Sequence, residues 1–187
     1  MILDKTGTVT QGRPVVTDVK SFGVEPDDLL SLALSIEAKS DHPLADAVVR
    51  YARERRVRER TATDFEMVEG QGVRARIDGV PCMAGNRRML LANGLALSRS
   101  AQQMGEALAA AGKTPLYFAA NRQVVGIFAV ADVLKPTSRA AVEALQRLNI
   151  EVTLLTGDNQ ATARSIAGEL GIRDVVAEVL PQDKERV

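Results

Sequence analysis

Short alternating runs of apolar and polar residues occupy the middle of the chain. The runs at 73–77 and 80–84 predict two strands, and Asp78-Gly79 between them predicts a tight hairpin. Helical spacing of apolar residues begins behind Pro26 and again behind Pro43, and proline is favoured in the first turn of a helix. Further strands are predicted at 15–22, 65–68, 116–120 and 124–130, and further helices at 86–92 and 100–111. This segment therefore reads as an antiparallel sheet with helices.

The two ends of the chain follow a different pattern. Residues 1–3 are apolar and lead directly into Asp4. Later elements alternate between helix and strand, with helices at 137–148 and 161–170, strands at 152–155 and 175–176, and a last helix starting at Pro181. Such alternation predicts a parallel sheet with crossover helices. We therefore predict an α/β domain of residues 1–12 and 128–187, into which an α+β domain of residues 13–127 is inserted.

Charge and composition exclude some classes of function. Lys plus Arg and Asp plus Glu both total 24, so there is no basic excess and we predict no nucleic-acid partner. The basic run at 53–60 is interpreted as a solvated helix end. The single cysteine, Cys82, lies in an apolar run and is predicted to be buried. No apolar stretch approaches the roughly 18 residues that span a bilayer, and no signal peptide is visible, so we expect a soluble intracellular chain.

Asp4 stands where a buried strand ends and a loop of small residues begins. In α/β sheets, ligands bind outside the carboxyl ends of the strands. A carboxylate there can attack a phosphorus atom and form an aspartyl phosphate. Lys5 adds a charge, Thr6 and Thr8 add hydroxyls, and Gly7 lets backbone N–H groups approach phosphate oxygens. An ordinary strand-end turn is the alternative, but this five-residue run is rare.

A second polar turn follows the predicted strand at 152–155. The Thr156 hydroxyl and the Gly157 N–H can bind phosphate oxygens at a helix N-terminus, whereas Asp158 either joins them or is a plain N-cap. Lys184 stands near the start of the last predicted helix. It can neutralise phosphate charge during transfer, or it can lie in solvent as a lone helix lysine.

Polar groups and glycines in the central segment are candidates for a ligand site. Glu37 and His42, the only histidine, precede the helix that Pro43 opens, and His42 could instead be an exposed residue at that helix start. Gly70-Gln71-Gly72 and Gly85-Asn86 lie between predicted strands, where glycines allow close backbone approach to a ligand. A lone Gly-x-Gly is weak evidence. The chain has no Walker A sequence, so a nucleotide would be held in another way.

Together these motifs resemble those of the P-type ATPases, over essentially the whole chain. Asp4-Lys5-Thr6-Gly7-Thr8 matches the phosphorylation signature of that family, and Thr156-Gly157-Asp158-Asn159 matches its phosphate-binding loop. Asp132 matches the hinge-strand aspartate, and Lys184 matches the lysine of the Pro-x-Asp-Lys segment. The run from Ser40 to Leu44 resembles the Ser-Glu-His-Pro-Leu segment of the heavy-metal-transporting members, with Asp41 in place of Glu.

The resemblance implies a fold and a set of site residues. It implies a haloacid-dehalogenase-like phosphorylation domain with a Rossmann-like parallel sheet and an inserted nucleotide-binding domain. The implied catalytic residues are Asp4, which takes the γ-phosphate of ATP, with Lys5, Thr6, Thr156, Gly157, Asp158 and Lys184. Mg²⁺ is implied to bind Asp4 and the backbone carbonyl of Thr6. The implied adenine pocket is lined by Glu37, His42, Gly70, Gly72, Gly85 and Asn86.

The resemblance also implies partners and a location. The family's Gly-Asp-Gly-x-Asn-Asp segment and membrane helices are not in this chain, so we expect a fragment, monomeric and weakly active or inactive by itself. Its partners would be ATP or ADP and the transmembrane and actuator domains of a parent transporter, on the cytoplasmic side of a membrane. Copper is the favoured ion, since the runs around Asp132 and Asn86 look closest to those of copper exporters.

Two alternatives stay open. A phosphatase on the same fold usually carries a second Asp two residues after the nucleophile, where this chain has Thr6. A hydroxyl does not readily protonate a leaving group or activate water, so an aspartyl phosphate should persist here. The other alternative is a module that binds nucleotide without catalysis.

Overall fold

Two compact units make up the chain in the computed structural model, which describes residues 1–157 and 160–179. The first unit comprises Met1–Arg13, Ala110–Gly112 and Asp132–Val187, and the second comprises Pro14–Ala109 and Lys113–Ala131. The predicted roles of Asp158 and Lys184 and the predicted last helix fall outside the described residues.

The elements follow one another in this order: β1 (Ile2–Asp4), a helical turn (Lys5–Val9), β2 (Thr10–Ser21), α1 (Pro26–Glu37), α2 (Pro43–Glu54), β3 (Ala62–Val68), β4 (Gly72–Ile77), β5 (Val80–Gly85), α3 (Arg87–Ala92), α4 (Arg99–Ala110), β6 (Thr114–Ala120), β7 (Gln123–Leu134), α5 (Ser138–Arg147), β8 (Thr153–Leu155), α6 (Gln160–Leu170) and β9 (Asp174–Val176).

The first unit contains a parallel sheet in the order β1-β8-β9. Its core is formed by Val9 from the helical turn, Val142 of α5, Leu154 of β8 and Leu170 of α6, each at most 3% exposed. The central strand β8 is the most buried of the three, with Leu154 and Leu155 at most 5% exposed, whereas β1 and β9 each begin with an exposed residue.

The second unit contains a six-stranded antiparallel sheet in the order β2-β7-β6-β5-β4-β3. One face carries α1 and α2. Leu29 of α1 and Val48 of α2 belong to the same core cluster as Phe118 and Phe128 of the sheet. Tyr117 points to the other face, in a cluster with residues of α3 and α4. The predicted combination of a parallel α/β sheet with an inserted antiparallel α+β segment is confirmed.

Two strands are longer than the sequence pattern predicts. β2 begins at Thr10 instead of residue 15, and β7 continues to Leu134 instead of ending at residue 130. Polar and glycine residues, such as Gln11 and Gly12, interrupt the alternation at the start of β2. The extra strand length is set by contacts distant in sequence, since Gly12 donates to the Asp132 carboxylate.

Gly105, in the middle of α4, lies against the ring of Tyr117. A methyl group added at this glycine would lie 1.9 Å from the tyrosine hydroxyl oxygen. Glycine inside a helix costs about 1 kcal/mol relative to alanine, so its presence needs a reason. The reason here is the close approach of α4 to β6 over a tyrosine that is only 3% exposed.

We predict that Gly105→Ala lowers the free energy of unfolding by about 1–3 kcal/mol, because overpacking outweighs the gain in helix propensity. Replacing Tyr117 by Phe in the same chain should restore part of that loss, since it removes the hydroxyl. The control is Gly168→Ala in α6, where an added methyl meets no described atom within 4 Å. That change should stabilise by about 1 kcal/mol. Urea unfolding checks both, and equal gains at the two sites would contradict the packing described.

Candidate functional site

Asp4 and Thr156 lie at the same edge of the parallel sheet. Asp4, the last residue of β1, pairs with Leu155, the last residue of β8, and Thr156 comes next. Thr156 is 1% exposed, and its backbone N–H donates to the Val176 carbonyl of β9 at 3.0 Å. Asp4 is half-buried. The carboxyl ends of the two strands thus place a carboxylate beside a turn of Thr156 and Gly157.

The turn after Asp4 is held by contacts from outside it. Gly7 has φ +77°, a left-handed conformation that a side chain disfavours. The Gly7 carbonyl accepts a hydrogen bond from the Lys135 ammonium at 2.6 Å. Its N–H donates to the Thr10 hydroxyl at 3.2 Å. The backbone from Lys5 to Val9 is therefore held by Thr10, which directly follows it, and by Lys135, which directly follows β7.

Thr10 and Asp132 form the anchor of this turn. Thr10 is fully buried, and its hydroxyl oxygen lies 2.9 Å from the Lys5 carbonyl oxygen and 2.5 Å from Asp132 Oδ2. The other carboxylate oxygen, Oδ1, accepts from the Gly12 N–H at 3.0 Å. Sequence reasoning passed over Thr10 and Lys135, and nothing in the local pattern marks them. Both positions matter through partners distant in sequence.

The second unit holds a cavity of about 560 Å³. It lies among the end of α1, the start of α2, the turn between β3 and β4, the end of β5 and the start of β6. The six residues that the sequence assigned to a ligand site all line it, namely Glu37, His42, Gly70, Gly72, Gly85 and Asn86. Met67, Glu69 and Thr114 also line it and were not singled out from the sequence.

Glu37 is a buried carboxyl group at the cavity. It is the last residue of α1 and is 6% exposed. Burial raises its pKa from 4.5 to about 7, because water no longer stabilises the charged form. A buried acid with a raised pKa in a cavity is typical of a functional position, since it costs stability there.

His42 is the N-cap residue of α2. Its Nδ1 accepts from the Leu44 N–H at 3.1 Å. In a neutral ring that accepts through Nδ1, the proton is on Nε2, which can donate to a ligand. His42 can therefore be both an exposed residue at a helix start and a ligand-binding residue, because its two ring nitrogens can bind different partners.

Both polar atoms of the Asn86 side-chain amide make hydrogen bonds within the protein. Its Nδ2 donates to the Gly70 carbonyl at 2.9 Å, and its Oδ1 accepts from the Met89 N–H as the N-cap of α3. Asn86 thereby connects the turn between β3 and β4 to α3. Its side chain acts on the cavity by positioning Gly70.

The three glycines of the cavity serve different purposes. Gly72 and Gly85 face each other in the pairing of β4 with β5, and a methyl added at either would lie 2.2–2.3 Å from a backbone oxygen. These two are required for strand packing, in addition to any ligand. Gly70 has φ +66°, and an added methyl there meets no described atom within 4 Å. Gly70 is therefore the glycine beside open space.

Charge is distributed unevenly around the cavity. The lining contains two carboxyl groups, Glu37 and Glu69, and the imidazole of His42, but no Lys or Arg among the described residues. Without a described cation in its lining, the cavity suits a neutral, partly apolar group better than a phosphate.

Cys82 is buried, as predicted, at 4% exposure.

Two negative findings apply to the described residues. They contain no cluster of three or more His, Cys, Asp or Glu side chains that could hold a metal ion. None of their helices is both long and apolar enough to cross a bilayer.

A family model described as haloacid dehalogenase-like hydrolase matches residues 1–187. Copper-transporting ATPase 1 of Rhizobium meliloti (strain 1021) is 45% identical over 183 residues, which is 97% of this chain and 22% of that protein. The chain thus spans less than a quarter of the length of this relative.

Two solved structures share the fold. A zinc-transporting PIB-type ATPase in the E2.Pi state matches 99% of this chain and 30% of its own, with a TM-score of 0.86 and 34% identity. The catalytic domain of the CPx-ATPase CopB-B, studied for conformational changes upon nucleotide binding, matches 99% of this chain and 63% of its own, with a TM-score of 0.71 and 26% identity. Because this family model covers its full length, the chain belongs to the haloacid dehalogenase-like hydrolases.

Proposed function

We propose that this chain is the ATP-binding and phosphorylation unit of a metal-exporting P-type ATPase, in which Asp4 forms an aspartyl phosphate. The observation that carries the proposal is the placement of Asp4 beside Thr156 at one edge of the parallel sheet. The first unit would be the phosphorylation domain and the second the nucleotide-binding domain. The boundaries that the sequence predicts for these domains, 1–12 with 128–187 and 13–127, stay a prediction.

The phosphorylation step needs a positioned carboxylate and positive or hydrogen-bonding groups around the phosphate. A carboxylate oxygen of Asp4 would attack the γ-phosphorus of ATP, the bond to the β-phosphate oxygen would break, and ADP would leave. Positioning and charge neutralisation supply most of the catalysis of such a transfer. The Thr156 hydroxyl and the Gly157 N–H are suited to hold phosphate oxygens. Lys5, Asp158 and Lys184 are proposed helpers by resemblance alone.

A magnesium ion fits the donors near Asp4. The Asp4 carboxylate and the Thr6 backbone carbonyl are oxygen donors, the kind that Mg²⁺ takes, and Mg²⁺ commonly completes its shell with substrate phosphates and water. When bound there, it would neutralise charge on the phosphate groups.

The cavity of the second unit is proposed to bind the adenosine part of ATP or ADP. Since no described cation lines it, the phosphate chain would extend out of the cavity. Glu37 can accept a hydrogen bond from the exocyclic amino group of adenine, and His42 Nε2 can donate to a ring nitrogen or a ribose oxygen. Gly70, positioned by Asn86, leaves room for the ligand.

Copper is the proposed cargo. The relative named as copper-transporting is 45% identical, whereas the structure named as zinc-transporting is 34% identical. The proposed partners are the transmembrane and actuator domains of the parent transporter, with this chain on the cytoplasmic side. Thr6, where a phosphatase would carry an acid, favours a lasting phosphoenzyme over phosphatase turnover.

The first prediction concerns Asp4. In the full parent transporter, incubated with ATP radiolabelled at the γ-phosphate and with the metal ion, the wild type should retain label after acid quenching. Hydroxylamine should release the label, since it cleaves acyl phosphates, and Asp4→Asn should carry none. Label on Asp4→Asn would overturn the assignment. Steady turnover of p-nitrophenyl phosphate by the 187-residue chain would favour a phosphatase instead.

The second prediction separates the two nitrogens of His42. His42→Asn keeps an N-cap acceptor for α2 but removes the Nε2 donor, so the fold should be preserved while the Kd for ATP rises about tenfold, the effect of one good hydrogen bond. His42→Ala should bind ATP as weakly as His42→Asn does. It should also lower the free energy of unfolding by about 1 kcal/mol, because the N-cap of α2 is lost. Calorimetric titration and urea unfolding measure the two effects. Wild-type affinity in both variants would remove His42 from the site.

The third prediction concerns the pH dependence that Glu37 causes. The unfolded chain releases this proton near pH 4.5, whereas the folded chain keeps it until about pH 7. Between these values the folded state binds more protons than the unfolded state, so the free energy of unfolding falls as the pH rises and levels off above 7. The loss amounts to about 3 kcal/mol.

Glu37→Gln stays neutral and should lack this loss. Relative to wild type, it should therefore become more stable as the pH rises from about 5 to about 8, in urea unfolding without nucleotide. Glu69→Gln, at an exposed carboxyl group of the same cavity, is the matched control and should follow wild type. Parallel pH profiles for Glu37→Gln and wild type would contradict the burial argument.

A further inference from the structure

Met67 is an apolar side chain exposed on the inner face of the sheet. It lies on β3 and pairs with Val73 of β4, and directly opposed residues of an antiparallel pair point to the same face. Val73 is 4% exposed and belongs to the core under α1 and α2. Met67 points to that same side, yet it is 56% exposed.

The cavity explains this difference. Met67 lines the cavity together with Glu37 and His42, and β3 is the outermost strand of the sheet. Exposed apolar surface on a face that is otherwise buried is unfavourable without a ligand, because water must solvate it. A ligand that fills the cavity would cover this side chain.

The chemistry of the lining indicates which part of a ligand would do so. No described cation lines the cavity, which disfavours a phosphate group there. A thioether makes favourable contacts with aromatic rings and adapts its shape to them. A planar heteroaromatic base therefore suits the space over Met67.

We propose that Met67 packs its thioether against the base of the bound nucleotide and contributes to the preference for ligands that carry an aromatic base. This inference rests on the proposed nucleotide-binding function and deepens it. Met67 is a binding and specificity residue and takes no part in phosphoryl transfer.

Methyl NMR of the 187-residue chain, labelled at the methionine methyl carbons, provides a direct test. The chain has five methionines, and Met67→Leu identifies the Met67 signal. Addition of ATP should move that signal upfield, because the methyl group would lie over an aromatic ring. Tripolyphosphate, which has no base, should leave the signal in place. The backbone amide of Gly70 reports independently whether ATP enters the cavity.

Affinity measurements provide the second arm. Met67→Gln keeps the length of the side chain but removes its apolar character, so the Kd for ATP should rise about three- to tenfold, whereas Met67→Leu should change it less than about twofold. The matched control is Leu91→Gln on α3, a similarly exposed apolar residue at 57% that does not line the cavity. This control should bind ATP as wild type does.

The outcomes distinguish this inference from the proposed function. If ATP shifts neither the Gly70 amide nor any methyl signal, the nucleotide-binding function itself is wrong. If ATP shifts the Gly70 amide but not the Met67 methyl, and Met67→Gln binds normally, only the role of Met67 is overturned. An equal Met67 shift with tripolyphosphate, or a shift that depends on chain concentration without ligand, would also overturn it.

Discussion

The parallel pairing of β1 with β8 is the constraint on which the proposed chemistry depends. It aligns Asp4 with Leu155, so that two turns from distant parts of the chain start at one sheet edge. A parallel pair needs a crossover connection, and here that connection includes the whole second unit and α5. Without this pairing, the turn that contains Thr156 would not lie next to Asp4.

The turn after Asp4 is kept in shape by groups that do no chemistry themselves. Thr10 and Asp132 hold it from the side, and Lys135 holds the Gly7 carbonyl. The hydrogen bonds of Thr10 to Lys5 and Asp132 are partly buried, and they resist local rearrangement because the loss of one partner leaves another polar group unsatisfied. If Asp4 is the nucleophile proposed above, such preorganisation would favour its attack on a phosphate.

In the cavity of the second unit, by contrast, two residues lie in environments that are unfavourable for them. Glu37 is buried where its charge is unfavourable, and Met67 is exposed where its apolar surface is unfavourable. Both features cost stability in the free chain, and both would be relieved by a ligand that donates a hydrogen bond and presents a flat ring. Local violations of the rules of folding are expected at binding sites, where ligand contacts compensate for them.

Much of this protein is determined by its sequence alone. The apolar periodicity and the turn residues predicted the two kinds of sheet, because side-chain period and turn chemistry are local properties. The motif around Asp4 and the short motifs that contain His42 and Gly70 were also recognisable from the sequence, because each has a distinctive local chemistry. The tertiary structure alone decided that Thr10 and Lys135 support the turn, that Asn86 positions Gly70, and that Met67 faces a cavity. These properties depend on which residues distant in sequence come within hydrogen-bond or van der Waals distance, and no local pattern of polarity records that.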